Sequence, residues 1–224
     1  MPNWCDNTLE LTHDKPEMMD KAIQGWKTGK FFATLHPEPD FTKVKVKPTF
    51  DFSGMSGKPQ PEFVDPEQAW YDWRLQNWGT KWEITTDESY IDIQDNEHGK
   101  SIRASFSTAW SPPTELYHKL VEDGYQVKAL YYEGGCAFCG IFEDGNDETY
   151  GTDGKWKDVK ENIPPEIDAE FGITDSMMEW QAQELADEIE ELESRLSEEN
   201  SNHELIAEIV AKKKELLEIE NAEV

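Results

Sequence analysis

Apolar and polar positions alternate in short runs along the first two thirds of the chain, then give way to a heptad rhythm. Residues 8–12 alternate through Leu9 and Leu11, which predicts a first strand. Asp14 is placed as an N-cap, with Pro16 in the first turn of a helix whose apolar stripe is Met18, Met19, Ala22, Ile23 and Trp26. A short apolar run at 31–35 ends at His36-Pro37. Residues 37–66 are rich in Pro and Gly, with one strand-like alternation at 41–47, and read as a long excursion from the domain.

A helix with an aromatic face is predicted from Pro66 through Trp70, Tyr71, Trp73 and Leu75. Strands are predicted at 82–86, 90–94 and 102–106, with a turn at Asp87-Glu88-Ser89. Pro112 and Pro113 introduce a helix striped by Leu116, Tyr117, Leu120 and Val121, and a strand follows at 125–133. Asp144-Gly145-Asn146-Asp147 predicts the turn of a further hairpin. Setting the excursion aside, the order is β-α-β-β-α-β plus a hairpin, the split βαβ or ferredoxin-like arrangement of an α+β domain. The domain is expected over 1–162, a linker over 163–173 after Ile163-Pro164-Pro165, and acidic helices over 174–224.

In that last segment Thr174 or Asp175 is expected to cap a helix with Met178, Leu185, Ile189, Leu192 and Leu196 at mostly heptad spacing. Glu199-Asn200-Ser201-Asn202 interrupts it, and Leu205, Ile209, Leu216 and Ile219 resume the rhythm. Two arrangements stay open: an antiparallel helical hairpin, or one coiled coil through which the chain self-associates. Lys212-Lys213-Lys214 could pair with the acidic face in a hairpin.

Charge narrows the partners. The formal net charge is -27, with 48 Asp and Glu against 21 Lys and Arg. Up to Pro61 the signs balance, so the deficit belongs to the remainder. Such a field repels nucleic-acid backbones and anionic membranes and favours a partner with a basic surface. Glu184, Asp187, Glu188 and Glu191 are the candidate partner-binding residues, although an acidic helix face is also an ordinary solvated surface. Three cysteines and no leader-like N-terminal segment fit a reducing cytoplasm, and no apolar run approaches a membrane span.

Candidate chemistry is sparse. Cys136-x-x-Cys139 is one ligand pair where structural zinc needs four ligands, and Cys5, His13, His36 and His118 are not spaced to complete it. Asp144, Asn146 and Glu148 are out of register for a calcium loop. No cofactor, metal or catalytic constellation is assigned. Polar groups meet aromatics only in Asn77-Trp78-Gly79-Thr80-Lys81-Trp82 and Thr108-Ala109-Trp110-Ser111-Pro112-Pro113. Asn77, Trp78, Lys81, Trp82, Trp110 and Ser111 are therefore the candidate ligand-binding residues. The alternative is a core whose indole N–H groups need partners.

These two motifs, with Met1-Pro2-Asn3-Trp4-Cys5 before them and Tyr132-Glu133-Gly134-Gly135, Phe138 and Gly140 after, resemble the YubB-like ferredoxin-fold domain family of bacteriophages and plasmids. The resemblance covers roughly residues 1–154. It implies a topology without an iron–sulfur cluster, a mobile-element setting and no established activity. The expectation is a non-enzymatic protein whose acidic surface engages a host factor, as a nucleic-acid mimic or defence inhibitor. The alternative is a ligand-binding or catalytic domain at the tryptophans.

Overall fold

The computed structural model describes residues 3–51, 59–85, 89–96, 99–198 and 202–222. The chain divides into two compact units, 1–152 and 153–224.

The first unit is α+β. Six strands, β1 (Trp4–Thr12), β2 (Tyr90–Asn96), β3 (Gly99–Ala109), β4 (Gln126–Glu133), β5 (Phe138–Glu143) and β6 (Asn146–Gly151), form one antiparallel sheet in the order β2-β3-β1-β4-β5-β6. Helices α1 (Pro16–Lys27), α2 (Phe31–Leu35), α3 (Ala69–Asn77) and α4 (Thr114–Glu122) share one core with one face of that sheet. Strand alternation supplies the sheet side of the core. Leu9, Leu11, Ile102, Ala104 and Phe106 point inward, and Glu10 and Arg103 point away.

β1 begins at Trp4, ahead of the expected 8–12. Asn7 breaks the apolar pattern but is buried, its amide donating to the Cys5 and Phe106 carbonyls and to Thr108 Oγ1. Lys15, not Asp14, is the N-cap of α1, with Pro16 at the first helical position. Residues 31–35 are a helix, and 41–47 form turns rather than a strand, with Val46 buried. The alternation at Trp82, Ile84 and Thr85 is not a strand either. Glu83 turns inward instead, its carboxylate accepting the Phe32 and Ala33 N–H groups at 2.8 and 2.9 Å, which occupies orphan donors at the start of α2. Thr86, Asp87 and Glu88 lie outside the described residues. Asp144 and Gly145, both at positive φ, make the two-residue turn of the β5–β6 hairpin.

The excursion after α2 is strapped to α3. Arg74 grips Glu38 through two bonds of 2.8 and 3.1 Å, Asp72 accepts the Thr49 N–H at 2.5 Å, and Gln76 donates to the Lys47 carbonyl at 2.8 Å.

Among the described residues the second unit is built of helices: α5 (Trp156–Asn162), α6 (Pro165–Phe171), α7 (Ile173–Glu198) and α8 (His203–Glu220). Residues 163–173, read as a linker, carry α6, because Pro165 falls at a position where its missing N–H costs nothing. Gly172, at φ 60°, closes α6 in the left-handed conformation. Thr174 lies inside α7, where its N–H and hydroxyl are held by the Asp168 carboxylate at 2.8 and 2.6 Å.

α7 and α8 fold back on one another as a hairpin. Ile189 and Leu192 pack on Leu205 and Ile209, while Trp156, Met178 and Ile219 form a second cluster. Asn202 caps α8 by accepting the Glu204 and Leu205 N–H groups. Glu199, Asn200 and Ser201 lie outside the described residues. Among the described residues no helix is long and apolar enough to cross a membrane.

Candidate functional site

The two tryptophan motifs meet in space, and most of their polar groups serve the joint itself. Ser111 Oγ donates to the Gly79 carbonyl at 2.7 Å, and Thr80 Oγ1 donates to the Ala109 carbonyl at 3.3 Å. Asn77 Nδ2 donates back to the Trp73 carbonyl at 2.8 Å. Gly79 lies against the start of α4 at φ 82°, where a Cβ would stand 3.0 Å from the Thr114 nitrogen. Only glycine takes that backbone without strain.

Trp78 is wholly enclosed. Its Nε1 donates to the His36 carbonyl at 2.9 Å, its ring meets Phe32 and Trp73 edge-on at 5.7 and 5.9 Å, and the Arg74 guanidinium lies 4.7 Å from its centroid. Asn77, Trp78 and Ser111 are thus placed as structure, with their groups committed to core or backbone.

Lys81, Trp82 and Trp110 behave differently. Trp82 and Trp110 are exposed, and Lys81 Nζ sits 4.0 Å over the Trp82 ring. Trp4 joins them, its ring 6.0 Å from that of Trp82. Trp110 adopts φ 74°, an outlier for so bulky a residue. Its N–H is fixed to the Asn3 carbonyl at 3.0 Å, and Thr108 Oγ1 donates to the Ser111 carbonyl at 2.7 Å. Trp4 was not singled out from sequence as a site residue. Its signal was its outward phase in β1, set by the inward Cys5 and Asn7.

The cysteines do not converge. Cys5 and Cys139 are buried and fall on opposite faces by strand alternation, while Cys136 is exposed in the turn before β5. Burial, with Asp6 and Glu133 nearby, pushes the Cys5 thiol well above its ordinary range. A hydrogen bond to Glu133 raises Cys136. Neither is poised as a nucleophile. Among the described residues no group of three His, Cys, Asp or Glu is placed to hold a metal.

The sheet face away from the helices carries a groove of about 570 Å³ lined by Glu10, Thr12, Arg103, Gln126, Lys128 and Glu143. Both signs of charge line it, and Arg103 meets Glu10 at 2.5 Å.

Residues 153–224 hold 22 Asp and Glu against seven Lys and Arg. Lys212 pairs with Glu188 and Lys213 with Glu193, each at 2.5 Å, so those two acids are engaged within the hairpin. Glu184, Asp187 and Glu191 lie on the outward face of α7, spaced three and four residues apart, with Trp180 one turn before Glu184. Trp180 is 63% exposed.

No family model matches the chain, and neither does any curated protein. Among solved structures it is similar to the crystal structure of a protein api92 from Yersinia pseudotuberculosis, family-model DUF1281. The two share 11% identity at a TM-score of 0.38, over 67% of this chain and 99% of that one. A likeness that distant carries no argument about function.

Proposed function

We propose that the chain is a non-enzymatic binding protein that engages a basic macromolecular partner through the outward face of α7. The observation that carries this reading is Trp180 standing in solvent on the same helical stripe as Glu184, Asp187 and Glu191. An exposed Trp among carboxylates suits Arg and Lys side chains, which it meets by cation–π contact while the acids supply charge. Glu188, already bound to Lys212, is not needed in this contact.

The first unit then acts as a rigid platform. Its element order, β1-α1 followed by β2-β3-α4-β4, supports a ferredoxin-like core within the α+β sheet. Together with the YubB-like motifs, the charge favours a phage or plasmid protein in the host cytoplasm. There it competes, as a nucleic-acid mimic, for a basic defence or DNA-processing factor.

The test is isothermal titration of the full chain with an arginine-rich peptide, across salt, beside the triple variant Glu184→Gln, Asp187→Asn, Glu191→Gln and the single variant Trp180→Ala. Binding that weakens with salt and with each variant supports the reading, and affinity indifferent to both variants sinks it. A pull-down from host extract that recovers nothing basic at low salt removes the mimic role.

A second reading places a planar small ligand at Lys81, Trp82 and Trp110. It is favoured by the strained backbone that holds Trp110 half in solvent. A thermal-shift panel of nucleotides and metabolites, with Lys81→Ala removing any response, tests it.

A further inference from the structure

The hairpin accounts for only one of two apolar seams on α8. Leu205, Ile209, Leu216 and Ile219 face α7 or its neighbours and are half or fully buried. One residue further on at three of these positions, a second seam runs through Ile206, Val210, Lys213 and Leu217 at the same four-and-three spacing. There Val210 is 62% exposed, Leu217 56% and Ile206 43%. α7 packs on the first seam and α5 meets α8 at Glu215, Glu218 and Ile219, which leaves Ile206, Val210 and Leu217 of the second seam facing solvent.

The charge on this stripe is unlike that of its surroundings. The spacing runs from His203 at one end to the acid Glu220 at the other, with Lys213 between them paired to Glu193 of α7, so the stripe is nearly balanced in a unit where acids outnumber bases threefold. The stripe is also self-complementary. Laid antiparallel on a second copy about a two-fold axis between Ala211 and Lys212, Ile206 meets Leu217 and Val210 meets the aliphatic stem of Lys213.

We propose that this α8 face is where two copies of the chain associate, joining two helical hairpins into a four-helix bundle. The seam follows an 18-residue helix, about 27 Å at ~1.5 Å per residue. One helix pair of that length buries at or under the ~1,000 Å² that marks stable association, which sets the expectation of a reversible dimer with a micromolar dissociation constant. The inference is independent of the α7 surface and does not require a basic partner.

Sedimentation equilibrium of the full chain from micromolar to hundreds of micromolar tests it, beside Val210→Glu and Leu217→Glu. The wild type is expected to pass from monomer to dimer. Each variant is expected to weaken the dimer by ~100-fold, because the symmetric contact places the new carboxylate in an otherwise apolar seam twice over. Circular dichroism checks that the helices persist. Should either variant lose them, cross-linking decides: in a Cys136→Ser background, Val210→Cys with Lys213→Cys should oxidise to a covalent dimer, and Val210→Cys alone should not. A monomer at every concentration, a dimer insensitive to both charges, or cross-linking through Val210→Cys alone would each overturn the proposal.

Discussion

The Ser111 hydroxyl and the Gly79 carbonyl meet at 2.7 Å across 32 residues of chain, tying the two tryptophan motifs into one joint at the start of α4. Gly79 is the tight side of that joint. Gly79→Ala must carry a Cβ at φ 82° and within 3.0 Å of the Thr114 nitrogen. A loss of ~1–3 kcal/mol is expected from the backbone conformation alone. Urea denaturation of the pair of proteins measures it.

Trp78 and Trp82 sit four residues apart and should respond very differently to truncation. Trp78→Ala empties an enclosed site and is expected to cost ~3–5 kcal/mol. Trp82→Ala, at a ring that is 40% exposed and lies outside the core cluster, should cost far less, ~1 kcal/mol. Equal losses would mean that Trp82 belongs to the core.

At Trp110 the usual order of alanine and glycine should invert. Gly suits φ 74° and Ala does not, so Trp110→Gly is expected to be more stable than Trp110→Ala by ~1 kcal/mol. Thermal melts of the two variants decide the sign.

Glu83 gives a pH signature. Burial raises its pKa, against the opposing pull of the Ala33, Phe32 and Ile84 N–H groups. The folded state therefore holds this proton more tightly than the unfolded state does. Its contribution is fully present below the ordinary Glu value of about 4.3. It is lost as the pH rises through the folded value. The difference in unfolding free energy between wild type and Glu83→Gln, followed upward from pH 4, should move against the wild type as the pH climbs. A difference that stays flat would show that the carboxylate is not raised.

Asn202 caps the N-terminus of α8 with its side chain, and Asn202→Ala should cost ~1 kcal/mol in the hairpin. Far-UV circular dichroism during denaturation reads this loss as an earlier helical transition.

Local pattern made much of the fold legible, and its failures have a common cause. Ile102, Ala104 and Phe106 announce β3 because each side chain obeys the same inward rule. β1 was read short because Asn7 points inward as a polar group, and its Nδ2 donates to Phe106 and Thr108, about a hundred residues away. Likewise, the alternation from Trp82 to Thr85 looks like a strand until Glu83 is seen serving α2 from fifty residues downstream. The candidate site divided along the same line. Nothing near Trp78 in sequence distinguishes it from Trp82, since the His36 carbonyl that receives its N–H and the Trp4 ring that meets Trp82 arrive only with the fold.

The strap between the excursion and α3 also limits how this chain could have been assembled or shortened. Asp72, Arg74 and Gln76 reach Thr49, Glu38 and Lys47 from one short helix, so removing the excursion would leave three polar side chains without their native companions. A trimmed relative would have to change all three positions together, and grafting the excursion elsewhere would mean transplanting α3 with it.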